Sequence, residues 1–289
     1  MRIIFFYLVS CVALFAFNFE IINQEAANGK SALIKFKQEP SIEYDSVKIE
    51  GKKYKIFPSP SEKGEAYVLI PFSYYDKPAT KKLEVYYREN TQQKQKVLFL
   101  KLVRGVYEKE TIHVDASKVN PKSPKVKRRI AKEYSEAMRI YHTVTPKSYL
   151  REPFILPMQS KITSAFGKAR VYNSSLKGYH SGTDFRAKVG TPVIAANDGK
   201  VALVKKRFYS GGTVILDHGE GIYTCYFHMS HFDVKEGEIV KRGEQLGLSG
   251  QSGRVTGPHL HFAARVDGVQ VDPLQLISLL NNNLLKVNN

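Results

Sequence analysis

Histidine, the side chain most often used for metal binding and for proton transfer near neutral pH, is concentrated in one part of this chain. Six of the eight histidines fall between positions 180 and 261. His259 and His261 are separated by one residue, so on a strand both imidazoles leave the same face. Such a pair suits a metal ligand and a catalytic neighbour.

His180 and Asp184 form a second candidate pair, four residues apart. The intervening Ser-Gly-Thr favours a strand or turn over a helix, so the imidazole and the carboxylate have to converge through tertiary folding. His228 ends a strand-like run in which alternation predicts that it shares a face with Tyr226 and points away from Cys225.

His218 and His231 are interpreted differently. Each lies in a turn or at the end of a strand-like run, where a histidine is expected to be a structural polar residue with its hydrogen bonds satisfied. The remaining four histidines of the cluster are too many to explain in that way.

Four motifs in this order resemble the zinc metallopeptidases of family M23, the LytM or lysostaphin-type peptidoglycan endopeptidases. They are Tyr-His180-Ser-Gly-Thr-Asp184-Phe, Gly190-Thr-Pro-Val-Ile-Ala-Ala-Asn-Asp-Gly199, Tyr226-Phe-His228-Met-Ser and Gly257-Pro-His259-Leu-His261-Phe. The resemblance covers roughly Ile155 to Ile277. It implies that His180, Asp184 and His261 bind one zinc ion per chain and that His228 and His259 are catalytic. Phe227 departs from the glycine that the family more often has in its Tyr-Gly-His motif.

The implied ligand set has a chemical rationale. Two imidazoles and one carboxylate leave a fourth tetrahedral position for water, as in catalytic zinc sites, where zinc lowers the pKa of that water. His259 is expected to take the water proton and pass it to the leaving amine, and His228 to donate a hydrogen bond to the oxyanion. The residues alone leave open which of the two has which role. The expected function is hydrolysis of peptide bonds in peptidoglycan stem peptides or cross-links during cell-wall remodelling.

Other functional classes fit less well. Relatives that only activate cell-wall amidases have lost zinc ligands, whereas all five key positions are filled here; such a module, or a cell-wall binding module, is the alternative. A cupin has a Glu at a fixed spacing after its His-x-His, which is missing here. A biotinyl or lipoyl carrier does not need four convergent histidines. Cys225 is out of phase with His228 and is expected to be a buried small side chain rather than a nucleophile.

Composition sets limits on the whole chain. Hydrophobic residues make up 43% and charged residues 25%, which argues against a disordered chain and against a polytopic membrane protein. The net charge of +17 favours anionic polymers as partners. Nucleic acid is not expected, because no aromatic platform for base stacking accompanies the basic run between Ala116 and Arg151. No feature of the sequence indicates an oligomeric state.

The first residues predict export. Arg2 precedes an apolar stretch, Ile3 to Phe17, of the length of a signal-peptide h-region. It is short for a spanning helix, yet no good cleavage site follows, so both a cleaved signal peptide and an uncleaved inner-membrane anchor are open. The run Leu8 to Cys11 resembles a lipobox but is interpreted as part of the h-region. The protein is therefore expected in the periplasm or cell envelope.

Short β-like runs dominate the rest of the chain and predict a mainly β protein of two domains. The predicted organisation is a leader (1–27), a small β-sandwich-like domain (28–115), a basic helical linker (116–152), an all-β M23-like domain (153–277) and a tail (278–289). Within the linker a helical stripe is predicted at spacings of three and four, with the lysines and arginines between its members in solvent. The stripe consists of Val126, Ile130, Tyr134, Ala137 and Tyr141.

Overall fold

The computed structural model of the chain describes residues 19–113, 121–172 and 176–286. The apolar stretch of the predicted leader, Ile3 to Phe17, lies outside the described residues. Among the residues that are described, no helix has the length and apolar character needed to cross a bilayer. The predicted fold class is confirmed, since strands hold 47% and helices 11% of the residues.

The N-terminal domain is a β-sandwich. Its strands are β1 (Phe19–Ile21), β2 (Glu25–Ala27), β3 (Ser31–Lys37), β4 (Ile42–Ile49), β5 (Lys52–Lys55), β6 (Phe57–Pro58), β7 (Glu65–Pro71), β8 (Ala79–Glu89) and β9 (Gln92–Val103). One sheet has the order β1-β3-β7-β6 and the other β2-β9-β8-β4-β5. Side chains such as Phe36, Leu83 and Leu100 fill the core of the sandwich.

Strands β3 and β7 are buried on both faces, which explains their nearly continuous apolar sequences. One face joins the sandwich core. The other places Leu33, Tyr67 and Leu69 in the same hydrophobic cluster as Phe154 and Leu276 of the C-terminal half. The two domains therefore share a core.

Strand β10 (Lys109–Ile112) leaves the sandwich, and the helix α1 (Pro124–Tyr141) follows. Pro124 occupies the first turn, where a missing N–H costs nothing. Ala137 and Tyr141 are buried as predicted, but Tyr134 is 64% exposed. The buried side of α1 is thus narrower than the predicted stripe: the buried residues of the helix, Glu133, Ala137 and Tyr141, all lie in its second half.

The C-terminal domain is built on an eight-stranded sheet. The elements of this half are β11 (Ile162–Ser164), β12 (Ala169–Tyr172), β13 (Leu176–Tyr179), β14 (Thr183–Arg186), β15 (Pro192–Ile194), β16 (Gly199–Arg207), β17 (Gly211–Asp217), β18 (Ile222–Met229), β19 (His231–Phe232), β20 (Ile239–Val240), β21 (Gln245–Leu248), β22 (His259–Val266), β23 (Val269–Val271) and α2 (Pro273–Asn283). The strands of the large sheet have the order β11-β14-β22-β18-β17-β16-β20, and β23 also pairs with β22. One face of the sheet forms the shared core, and α1 packs on the other through Ile215, Cys225 and Ala263.

Two observed boundaries differ from the predicted ones. The sandwich begins at Phe19, within the predicted 1–27 leader, because β1 and β2 are three residues each and too short to show alternation. The predicted tail 278–289 contains the end of α2, where Leu279, Leu280 and Leu284 are buried. The amphipathic pattern of α2 starts only at Pro273 and continues across the predicted boundary.

Candidate metal centre

Pairing within the large sheet places four side chains in one row across adjacent strands. Ser164 of β11 lies opposite Asp184 of β14, Asp184 opposite His261 of β22, and His261 opposite Phe227 of β18. Residues in register on neighbouring strands share a face. This face is the one on which α1 packs farther along the sheet.

Three donor atoms converge in this row. His180 Nε2 lies 3.0 Å from Asp184 Oδ1 and 3.0 Å from His261 Nδ1, and His261 Nδ1 lies 2.8 Å from Asp184 Oδ1. All three residues are buried. The His180–Asp184 pair, which the sequence could not place in one element, meets because His180 precedes β14 and Asp184 lies within it.

Gly182 makes this convergence sterically feasible. A Cβ atom at position 182 would lie 2.5 Å from His261 Nε2 and 2.4 Å from the carbonyl oxygen of Phe262. No side chain fits in that space, which gives a physical reason for the glycine between His180 and Asp184.

Backbone carbonyls fix the tautomers of three histidines, since a carbonyl can only accept. His180 Nδ1–H donates to Ala165 O at 2.8 Å, His228 Nδ1–H to Ser252 O at 2.8 Å, and His259 Nδ1–H to Gly257 O at 2.8 Å. Each neutral ring therefore has an unprotonated Nε2. His180 uses that nitrogen to face Asp184 and His261.

His228 does not follow strand alternation. Its φ of +64° is in the left-handed region, which turns the side chain to the metal-site face instead of the Tyr226 face that the sequence predicted. The ring centroids of His228 and His259 are 4.9 Å apart. A side chain is tolerated at Phe227, where glycine is more common in the family, because the positive φ is at His228 and not at Phe227. The Phe227 ring stacks on His261, with the ring centroids 5.5 Å apart.

Burial and mutual contact shape the charges at the centre. Burial by itself raises the pKa of Asp184, but the close contacts of its carboxylate with His180 and His261 outweigh this effect and hold that pKa well below its usual value. Burial lowers the pKa of His261 to about 4. Burial, together with the neighbouring imidazoles, lowers the pKa of His228 to about 3. Asp184 is therefore a carboxylate and His261 a neutral imidazole, the protonation states in which these groups bind metals.

Sequence reasoning missed the groups behind Asp184. Arg170 Nη2 donates to Asp184 Oδ2 at 3.3 Å and to Ser164 Oγ at 3.2 Å, and its Nε donates to Glu110. Glu110 belongs to β10, which pairs in parallel with β12 and so brings a residue of the N-terminal half to the site. No motif surrounds Arg170 or Glu110, so no signal in the sequence would have singled them out.

The other two histidines lie outside the centre. His218 is fully buried, with Nδ1 donating to Asp198 O at 2.6 Å and Nε2 next to Thr224 Oγ1 at 2.7 Å. His231 is exposed and pairs with Asp233. Cys225 is buried beside Tyr141, and burial raises the pKa of its thiol to about 11. A thiol that stays protonated is a poor nucleophile.

The donor set fits zinc. Bonds of ~2.0–2.2 Å in a tetrahedral site place ligand atoms about 3.4 Å apart, so the three donors need to separate by only about half an ångström. The unprotonated Nε2 of His180 is directed at Asp184 Oδ1 and His261 Nδ1, each 3.0 Å away, which is the orientation of a metal ligand. His180, Asp184 and His261 are the only group of this kind among the described residues.

Comparisons with known proteins indicate a family of peptidases. The model of the family described as peptidase family M23 matches residues 178–273. The peptidoglycan DD-endopeptidase ShyA of Vibrio cholerae is 41% identical over 122 residues, which cover 41% of this chain and 28% of the relative. The DD-carboxypeptidase/endopeptidase Mpg of Neisseria meningitidis is 41% identical over 97 residues, covering 34% and 22%. The matches thus span less than a third of either relative's length.

A solved structure extends the likeness beyond the metal centre. A Pseudomonas aeruginosa protein assigned to peptidase M23 has 27% sequence identity and a TM-score of 0.65, over 88% of this chain and 95% of that one. The likeness therefore includes the N-terminal sandwich as well as the large sheet. Residues 178–273, which include the His180, Asp184 and His261 cluster, thus match peptidase family M23.

Proposed function

We propose that this protein is a zinc-dependent endopeptidase that hydrolyses peptide bonds in peptidoglycan stem peptides or their cross-links during cell-wall remodelling. The observation that carries the proposal is the convergence of three donor atoms within 3.0 Å, beside two further imidazoles. Two similar proteins named as enzymes that act on peptidoglycan support the substrate class. One zinc ion per chain follows from the single donor group in the described part of the chain.

Zinc held by His180, Asp184 and His261 would supply a Lewis acid that activates water and polarises the scissile carbonyl. The chain's own residues then move the protons. His259 Nε2 lies 3.6 Å from Asp184 Oδ1, close enough to the centre to accept the proton of the attacking water and pass it to the leaving amine. Its side chain is 16% exposed, so the charged form costs less desolvation than it would on His228.

His228 has a more restricted role. With Nδ1–H donated to Ser252 O, its neutral ring can only accept a hydrogen bond at Nε2. We propose that His228 orients the attacking water by accepting a hydrogen bond from it, and that it donates to the oxyanion only once it has taken up the second proton of that water. His259 has the same tautomer, so the proposed division of roles rests on the greater exposure of the His259 side chain.

The N-terminal domain is proposed to shape access to the centre. Tyr74 of that domain stacks on Tyr179 at 4.0 Å, next to His180, and β10 adds an edge beside the ligands. A peptidoglycan substrate requires location in the cell envelope, so Ile3 to Phe17 would serve as a cleaved signal peptide or as an inner-membrane anchor.

The alternative, a non-catalytic cell-wall binding module or amidase activator, is not favoured. Such a module needs neither the three converging donors nor the two imidazoles beside them, and all five are present. The named relatives are endopeptidases.

Digestion of purified sacculi tests the proposal. The zinc-loaded protein should convert cross-linked muropeptides to uncross-linked ones, as measured by mass spectrometry, and a chelator should stop the reaction. Added zinc should restore it. Binding to sacculi without any new peptide terminus would favour the alternative.

A further inference from the structure

A cavity of about 820 Å³ lies between α1 and the large sheet. Ile130, Tyr134 and Met138 of α1 form one wall, and Cys225 and Phe227 of β18 lie on the opposite side. A volume of this size is typical of sites for small ligands or short peptides. Tyr134, a member of the predicted helical stripe, is exposed because it faces this space.

The cavity adjoins the candidate metal centre at three points. Phe227 stacks on His261. Ser181 directly follows His180 in the chain. The backbone carbonyl of Ser210 accepts the N–H of His228 at 2.8 Å. All three residues line the cavity. A peptide bound at the metal centre can therefore extend into the cavity as far as α1, which covers the sheet beyond that point.

Positive charge dominates the lining. Arg207 of β16, Arg254, Arg265 of β22 and Lys127 all border the cavity. The acidic residue of the lining, Glu133, is already engaged by Arg129 Nε at 2.7 Å and by the Phe208 N–H at 2.8 Å. The cavity therefore carries net positive charge that its own carboxylate does not neutralise.

Arg207 has hydrogen-bonding capacity to spare. Its Nη2 donates to the backbone carbonyl of Glu133, whereas its Nε is buried and has no hydrogen-bond partner in the part of the chain that the structure describes. Within the same residues, neither Arg207 nor Arg265 forms an ion pair with a carboxylate. A buried donor without a partner costs free energy that an anionic ligand would recover.

We infer that this cavity binds the carboxy-terminal end of a stem peptide, with the terminal carboxylate on Arg207 and α1 closing the groove behind it. The inference rests on the proposed function. A guanidinium matches a carboxylate in two-point geometry, while the aromatic and aliphatic lining suits the peptide's methyl and methylene groups. Arg207 is thus a specificity-determining residue, and the preferred substrate is a peptide that ends close to the scissile bond.

Paired substrates test the inference. Kinetics are measured on a cross-linked muropeptide dimer with a free terminal carboxylate and on the same dimer with that carboxylate amidated. The wild-type protein should show a KM roughly 10- to 100-fold lower for the free acid, the range of a charge-assisted hydrogen bond. Arg207→Gln should lose most of this preference, by raising KM for the acid and leaving the amide nearly unchanged.

Matched variants keep the result interpretable. Arg128→Gln removes the same charge from an exposed position of α1 outside the cavity and should retain the preference. Arg207→Lys retains the positive charge but not the two-point geometry of the guanidinium, and it should lose part of the preference for the free acid. If Arg207→Gln does not fold, Arg207→Lys tests the carboxylate site in its place. Thermal unfolding and zinc content are measured for every variant.

The outcomes separate the two proposals. If the wild-type protein hydrolyses neither substrate, the proposed function fails. If it hydrolyses both with equal KM, or if folded Arg207 variants keep the full preference, the function stands and the carboxylate site is refuted. Equal KM values combined with competition by inorganic phosphate would show that the cavity takes phosphate instead of the peptide terminus.

Discussion

His218 shows how a histidine of the same cluster can serve the fold alone. Both ring nitrogens make short hydrogen bonds inside the protein, and burial lowers its pKa from 6.5 to about 4. The unfolded chain then binds a proton below pH ~6.5 that the folded chain does not. Stability is fully present above this pH and falls as the pH decreases towards 4.

Denaturant unfolding between pH 4 and pH 7.5 measures this dependence. We expect the free energy of unfolding attributable to His218 to drop by about 3 kcal/mol over that range. His218→Gln should show a smaller change in the free energy of unfolding over this pH range. Subtracting its pH profile from that of the wild type removes the contribution of the other titrating groups. Equal pH slopes in the two proteins would contradict the assignment.

Individual residues also show what could be predicted from the sequence. Four residues of the centre could be predicted from residue type, spacing and the order of the motifs, and the structure brings them together: His180, Asp184, His259 and His261. The motif of His228 predicts a position beside the other four residues, and its ring lies next to His259. Strand alternation predicts the opposite face, because a residue pattern does not show that His228 has a φ of +64°. Arg170 was missed because its partner Glu110 is 60 residues away in the chain.

Strand β10 is the element through which the N-terminal half reaches the metal centre. Glu110 holds Arg170, and Arg170 holds Asp184 Oδ2. Groups that orient a metal ligand commonly change metal affinity by ~10- to 100-fold when removed. We expect Arg170→Gln to weaken zinc binding by such a factor and Glu110→Gln to weaken it less.

Competition with a zinc-chelating dye measures this affinity without reference to activity. Glu108→Gln is the matched control, since Glu108 is on the same segment but pairs with Lys168 at the surface; its zinc affinity should equal that of the wild type. Unchanged affinity in Arg170→Gln would show that Asp184 needs no support from β10.

Helix α1 offers a second test at this scale, because two of its tyrosines have opposite environments. Tyr141 is 4% exposed and Tyr134 is 64% exposed. Tyr141→Ala should lower the free energy of unfolding by roughly 3–5 kcal/mol, the range for a buried aromatic side chain, whereas Tyr134→Ala should change it by less than about 0.5 kcal/mol. Chemical denaturation checks both, and a similar loss in each would mean that α1 packs through the full predicted stripe.

The whole molecule behaves, on this structure, as two domains with one shared core. Leu33 and Leu69 of the sandwich lie in the cluster that α2 completes, and Gln275 of α2 bonds the backbone of Ser31 through both ends of its amide. The sequence predicted the two domains and the basic helix between them. It could not predict their contact, because a strand buried on both faces has the same apolar pattern whichever partner covers it.

A shared core predicts cooperative unfolding. Differential scanning calorimetry of the intact protein should give a single transition, and Leu69→Ala should shift the whole transition to lower temperature. Two separate transitions, with only the first affected by Leu69→Ala, would show that the domains are independent. The control Phe99→Ala, at a 64% exposed position of the same domain, should leave the transition close to that of the wild type.

Zinc content and sacculus hydrolysis, measured on the same preparations of His259→Ala and His261→Ala, test the central claim most directly. The two residues are on one face of β22, yet only His261 has a donor atom in the converging group. We predict that His259→Ala retains about one zinc ion per chain and loses roughly 10²- to 10⁴-fold in rate, whereas His261→Ala loses the metal and the activity together. Loss of zinc from His259→Ala with full zinc in His261→Ala would contradict the account.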